Sequence, residues 1–160
     1  MRVAGRRATS LFDGLGINYV LFCQGCKHHC EGCQNPSTWA MDGGVEMTLE
    51  EIKADIERYK PLITGVTFSG GDPVYQLDDT LKLARWAKSK GLQTTLYTGY
   101  KYPDIYDEVA EFPKFEDNPF DYIIDGKYIE SYKSTKRSFR GSGNQKMYRR
   151  VGGWGYVEIK

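Results

Sequence analysis

The chain has 160 residues, with 40% hydrophobic and 27% charged residues and a formal net charge of +1 at pH 7. That length is one domain's, short of the ~250 residues of a complete (β/α)8 barrel, and the composition is that of a globular protein with a packed core. No apolar run approaches the ~20 residues that cross a bilayer, the balanced charge excludes a polycation built for nucleic acid, and Met1-Arg2-Val3-Ala4-Gly5-Arg6-Arg7 is basic without the apolar run of a secretory signal, so an intracellular (cytoplasmic) protein is expected.

In chain order, the first ten residues are expected to add an edge strand. Residues 17–22 are β-branched, aromatic and apolar and read as a buried strand running straight into the cysteines. A loop rich in Gly, His, Asn and Pro follows to about residue 47. Thr48-Leu49-Glu50-Glu51 is a capping box opening a helix to about residue 60, with Leu49, Ile52 and Ile56 on one face. Residues 65–68 form a second strand, ended by Ser69-Gly70-Gly71-Asp72-Pro73. A helix over 77–89 carries Leu77, Leu81, Ala84 and Lys88 along one side, and Gly91 caps it. Residues 93–97 form a third strand, ended by Thr98-Gly99-Tyr100. A short helix is expected over 103–111, then a fourth strand over 121–124, ended by Asp125-Gly126. Strands alternating with helices imply βα units and a parallel sheet in one domain over residues 1–160.

Charge is unevenly spread. Residues 104–125 hold eight acidic residues and one basic, and residues 126–150 hold eight basic and one acidic. Two solvated faces account for this; a basic tail that grips a partner or an anionic ligand is the functional alternative.

The four cysteines, Cys23, Cys26, Cys30 and Cys33, lie within eleven residues. Cysteines so close cannot staple distant segments, so the cluster reads as a metal or redox site. Two Cys-x2-Cys pairs would suit zinc, but only Lys27, His28 and His29 separate them, where structural zinc sites allow about a dozen residues. Taking Cys26, Cys30 and Cys33 as a triplet instead gives three thiolates on a short loop, suited to a [4Fe–4S] cube with one iron left open. The cysteines and the three later glycine-bearing turns all follow strands. Parallel α/β folds bind ligands outside the carboxyl ends of their strands, so the four turns describe one site.

The Cys-x3-Cys-x2-Cys spacing resembles the signature of the radical S-adenosylmethionine enzymes. The run from Gly25 through Cys26-Lys27-His28-His29-Cys30-Glu31-Gly32-Cys33-Gln34-Asn35-Pro36 to Trp39 is similar to the anaerobic ribonucleoside-triphosphate reductase activating proteins. Asp13-Gly14-Leu15-Gly16, Ser69-Gly70-Gly71-Asp72-Pro73, Leu96-Tyr97-Thr98-Gly99-Tyr100, Asp125-Gly126-Lys127-Tyr128 and Phe139-Arg140-Gly141-Ser142-Gly143-Asn144-Gln145 agree in order. The resemblance implies an incomplete (β/α) barrel of about four βα units plus an edge strand and a C-terminal extension. It implies that Cys26, Cys30 and Cys33 bind a [4Fe–4S] cluster whose open iron holds S-adenosylmethionine. Gly70, Gly71 and Asp72 would sit against the methionyl amino group, and Gly32, Gln34 and Asn35 beside the third cysteine would face the adenosine part. One electron would then cleave the sulfonium, and the 5′-deoxyadenosyl radical would take a hydrogen from a glycine on the large reductase subunit. The cofactor carries the chemistry, so no acid–base residue is named. A low-potential flavodoxin or ferredoxin would supply the electron, with neither nucleic acid nor membrane as partner.

Some positions depart from the pattern. Gly32 stands where many radical S-adenosylmethionine enzymes place an aromatic residue, and Gln34 where relatives carry His or Tyr. Cys23 is expected to be a buried small residue at the strand end, and His28 and His29 solvated loop residues. An incomplete barrel with an open side suits a substrate that is part of a protein, and the aromatic-rich tail, with Tyr128, Tyr132, Phe139, Tyr148, Trp154 and Tyr156, would dock that partner or close the site, with about half of these aromatics expected in the core instead. The alternatives are activation of another glycyl-radical enzyme, a small radical enzyme acting on a nucleoside-like metabolite, and a zinc-binding interaction module.

Overall fold

A computed structural model describes residues 1–160. Eight strands form one mixed sheet: β1 (Arg2–Ser10), β2 (Asn18–Cys23), β3 (Val45–Glu46), β4 (Gly65–Gly70), β5 (Gln93–Tyr97), β6 (Tyr122–Asp125), β7 (Lys146–Val151) and β8 (Gly155–Ile159), in the spatial order β3-β1-β2-β4-β5-β6-β7-β8. The central four, β2, β4, β5 and β6, are parallel. β1 and β3 extend the sheet antiparallel on one side, and the β7–β8 hairpin does so on the other.

The parallel strands are buried on both faces, as their composition requires. Tyr19, Val20 and Leu21 of β2, Val66 and Phe68 of β4, and Ile123 and Ile124 of β6 are all 2% exposed or less. Threonines serve as β-branched strand residues whose hydroxyls are bonded: Thr67 Oγ1 donates to Asp13 O at 2.6 Å and Thr94 Oγ1 to Pro119 O at 2.6 Å.

Three α-helices follow the strands: α1 (Leu49–Tyr59), α2 (Leu77–Ser89) and α3 (Ile105–Glu108). The capping box forms as expected. Thr48 Oγ1 accepts from Glu51 N at 3.1 Å, and Glu51 Oε2 accepts from Thr48 N at 3.2 Å. Ile52 and Ile56 bury α1, while Leu81, Leu83, Ala84 and Ala87 bury α2. The α2 face is therefore rotated from the expected one: Lys88 is exposed and pairs with Asp121 at 2.6 Å. No helix is long and apolar enough to cross a membrane.

The sequence expectation differs from the fold at four further places. β1 is not an edge, because β3 pairs outside it. The helix expected over 103–111 is a single turn: Val109 is extended, and Asp107 and Glu108 sit near its C-terminal end, where the helix dipole disfavours negative charge. No α-helix follows β6, only a single 3-10 turn at Glu130–Tyr132, so the expected four βα units are three, one of them minimal. The C-terminal extension is a hairpin turning at Gly152 and Gly153, a turn signal present in the sequence.

β2 and β4 converge at the cysteines. Cys23 is in register with Gly70, which adopts φ +105°, and a Cβ there would collide with the Cys23 backbone nitrogen and oxygen. Gly70→Ala is expected to destabilise the protein by about 1–3 kcal/mol through strain and overpacking, read as a lowered urea midpoint at unchanged m-value.

Candidate active site

The cysteine loop leaves β2 and is fixed at its base by main-chain bonds from two directions. Gly71 N donates to Cys23 O at 2.8 Å and Asp72 N to Gly25 O at 2.9 Å, while Gly25 N donates to Thr38 O at 2.7 Å and Cys26 N to Trp39 O at 3.1 Å. A Cβ on Gly71 would strike Gly25 O. The two adjacent glycines thus permit a close backbone approach, and what approaches is the root of the cysteine loop. Beyond it, His29 takes φ +50° with its ring stacked 4.6 Å from Trp39, and Cys33 N closes a turn on Cys30 O at 3.1 Å.

His28 and Asp72 form the polar centre. Asp72 is fully buried, and its Oδ2 accepts from His28 Nε2 at 2.7 Å, Thr98 Oγ1 at 2.9 Å and Gly99 N at 2.8 Å, while Oδ1 accepts from Val74 N at 3.0 Å. The Asp72 carboxylate, expected to face a ligand's ammonium group, is instead saturated by protein donors. His28, expected to be solvated, has a side chain only 7% exposed and stands edge-on to Tyr100 at 4.8 Å. Both corrections have one cause: a buried carboxylate needs donors, and the histidine folds inward to supply one.

Cys26, Cys30 and Cys33 line one cavity of about 150 Å³ together with Gly70 and Gly71. Of the three sulfurs, that of Cys33 accepts a hydrogen bond, from Asn35 N at 3.4 Å, while backbone N–H groups of His28 and His29 near Cys26, and of Tyr128 near Cys30, pull those thiols toward the thiolate. Burial pushes the Cys26 thiol up to about 11, against the pull of its N–H partners. Cys23 does not line the cavity; it is 0% exposed in the main core, and burial raises its thiol to about 12. No three His, Cys, Asp or Glu side chains are gathered tightly enough for a single ion. Three soft thiol donors around one cavity fit an iron–sulfur cube, while the buried Cys23 does not complete a four-thiol zinc site.

A second cavity of about 430 Å³ adjoins the first, sharing Cys33, Ser69, Tyr97, Tyr128 and Gln145 with it. Gln34 and Asn35 line this larger space. Gly32 lines neither: it is exposed, at φ +75°, with Glu130 packed where a Cβ would stand. Tyr97 bridges both cavities, its hydroxyl donating to Phe139 O at 2.8 Å. Sequence reasoning passed over Ser69, Tyr97 and Gln145 as site residues, although all lie within the segments that carry the resemblance, and it named Tyr128 only among the aromatics of the tail. Behind the cysteine loop, a groove of about 810 Å³ shares His28, Gly99 and Lys127 with the cysteine cavity. A groove of about 710 Å³ at Leu11, Phe12, Ile17 and Leu62 shares no residue with the cysteine cavity.

Residues 12–148 match the family described as a 4Fe-4S single cluster domain. The chain is 38% identical over 146 residues to the anaerobic ribonucleoside-triphosphate reductase-activating protein of Enterobacteria phage T4, covering 88% of this chain and 89% of that one. It is 32% identical over 144 residues to the protein of the same name from Vibrio cholerae serotype O1, covering 86% and 90%. The pyruvate formate-lyase-activating enzyme of Clostridium pasteurianum is 39% identical over 115 residues, which span 69% of this chain and 48% of that one. A triplet of thiols on one cavity, matched over almost the full length of both chains, makes this chain a member of the 4Fe-4S single-cluster family of anaerobic ribonucleoside-triphosphate reductase-activating proteins.

Proposed function

We propose that the chain activates an anaerobic ribonucleoside-triphosphate reductase by installing a glycyl radical on its large subunit. The observation that carries this is the paired cavity: three thiols of a Cys-x3-Cys-x2-Cys loop ring one end, and a larger space continues from it. The cofactors are a [4Fe–4S] cluster and S-adenosylmethionine, which when bound supply a 5′-deoxyadenosyl radical.

The chain's residues hold and shield that chemistry. Cys26, Cys30 and Cys33 would ligate three irons. The backbone of Gly70 and Gly71 forms the wall beside them, and Asp72 acts behind that wall by holding His28, Thr98 and Gly99 in place. Gln34 and Asn35 present polar groups to the larger cavity, where the adenosine part would lie. Residues 1–160 work as one domain, and we read the parallel strands and their flanks as an incomplete barrel whose open side admits a glycine carried by another protein. The electron comes from a low-potential donor of the flavodoxin or ferredoxin kind. The likeness to a pyruvate formate-lyase-activating enzyme supports a second reading, in which another glycyl-radical enzyme is the target.

The test is anaerobic reconstitution followed by electron paramagnetic resonance of the reduced protein, with and without S-adenosylmethionine, and then with the reductase. A [4Fe–4S] signal that changes with S-adenosylmethionine and gives way to a glycyl radical on the reductase is expected. A colourless protein holding one zinc and refusing iron and sulfide would refute the reading.

The cysteines are expected to divide three to one. Cys26→Ser, Cys30→Ser and Cys33→Ser each abolish cluster assembly while the fold persists. Cys23→Ser keeps the cluster and costs about 1–3 kcal/mol for a hydroxyl placed in the core, measured by iron content and denaturant unfolding. In the apo protein at pH 8, iodoacetamide should label Cys30 and Cys33 first, Cys26 slowly and Cys23 only after unfolding. Raising the pH from 8 to 10 should speed labelling at Cys26, because its raised thiol gains thiolate across that range; mass spectrometry of the digested protein reads the order.

A further inference from the structure

The segment that ends in Ser142-Gly143-Asn144-Gln145 touches the larger cavity through Gly141 and Gln145, yet most of its polar groups are spent on its own chain. Gln145 Oε1 accepts from Gly141 N at 2.9 Å and Ser142 N at 3.1 Å, and its Nε2 donates to Gly126 O at 3.0 Å. Asn144 Nδ2 donates to Lys127 O at 2.8 Å, and Ser142 Oγ donates to Asn144 Oδ1 at 2.6 Å. Gly143 N adds a bond to Tyr132 O at 2.7 Å. Together these bonds clasp residues 126–129 against 141–145 and close the chain between them into a loop over 130–140.

That loop is cationic, and none of its basic side chains is paired. Lys133, Lys136, Arg137 and Arg140 form no ion pair. Of the nearby acids, Glu130 accepts from Tyr128 Oη at 2.6 Å, and Glu158, close enough to act on Arg140, pairs instead with Lys146 at 4.0 Å. Arg140 spends its donors on the carbonyls of Ser138 and Ile159; burial pushes its guanidinium pKa down, and the charge of Arg137 adds to the effect. Four basic side chains on one short loop, none of them in an ion pair, leave a field for something outside the chain to meet.

Position decides what that is. Lys133, Thr135, Phe139 and Arg140 form one wall of the larger cavity, while Lys136 and Arg137 stand exposed and line neither cavity. We propose that the clasped loop 130–140 is a docking surface for an acidic face of the glycine-bearing protein, holding that protein so that its glycine enters the cavity the loop borders. This rests on the function proposed above. An acidic electron donor is the less fitting occupant, because a donor needs only to approach the cysteines, whereas a hydrogen-donating glycine must enter the space beside this loop.

The experiment compares the reconstituted wild type with Lys136→Glu/Arg137→Glu and Lys136→Gln/Arg137→Gln, using the large reductase protein as the probe. Dithionite-driven cleavage of S-adenosylmethionine without the reductase should be the same in all three, which reports an intact site. Association with the reductase at low ionic strength should slow about tenfold in the Glu variant and by less in the Gln variant, and the wild-type rate should fall with added salt while the Glu variant's rises or stays flat. Equal association rates with equal salt slopes overturn the proposal. So does a loss confined to flavodoxin-driven reduction, which would assign the surface to the donor, and so does a wild type that does not bind the reductase. A wild type that binds in this salt-dependent way but forms no glycyl radical refutes the functional reading and leaves the docking surface supported.

Discussion

The site depends on one buried carboxylate. Asp72 draws donors from three places: His28 inside the cysteine loop, Val74 just after β4, and Thr98 with Gly99 at the end of β5. An unpaired carboxylate at full burial would cost several kcal/mol, so these segments converge or the charge is stranded. The cysteine loop is therefore placed by tertiary structure as well as by its own turns. The glycines before Asp72 let this happen, since any side chain at Gly70 or Gly71 would hold the loop root away from the strand that anchors it.

The same constraint separates the roles of the four cysteines. Cys23 ends a strand packed on both faces and belongs to the core. Three residues later the chain has left the sheet, and Cys26, Cys30 and Cys33 turn toward a common space with a backbone donor near each sulfur. One of those donors, Tyr128, comes from the far end of the chain, from the clasped segment that also borders the larger cavity. The cysteine cavity and one wall of the larger cavity are thus parts of one piece of chain.

Local chemistry made much of this legible in the sequence. The Thr48–Glu51 box placed the start of α1, Gly91 at φ +81° marked the end of α2, and β5 spans the residues its β-branched run indicated. The cysteine spacing located the cavity. What stayed hidden was set by contacts between distant segments. His28 has polar neighbours in sequence and reads as solvated; only the fold supplies Asp72 from 44 positions away. Asp72 follows two glycines and reads as a ligand for a cation, because nothing local shows that four donors reach it first. The β7–β8 hairpin was obscured because Met147 and Tyr148 are buried side by side, without the alternation that marks a half-buried strand.

The way the cysteine loop is held has a consequence for assembly. In small zinc domains the metal supplies the folding energy, and the metal-free chain is unfolded. Here the loop's root is tied to Gly71, Asp72, Thr38 and Trp39, and its middle to Asp72, all by bonds that involve no cysteine sulfur. Part of the entropy of ordering the loop is therefore lost in folding itself. The chain is a mould: the bonds that shape the cysteine loop at its root and at His28 belong to the fold and not to the three sulfurs.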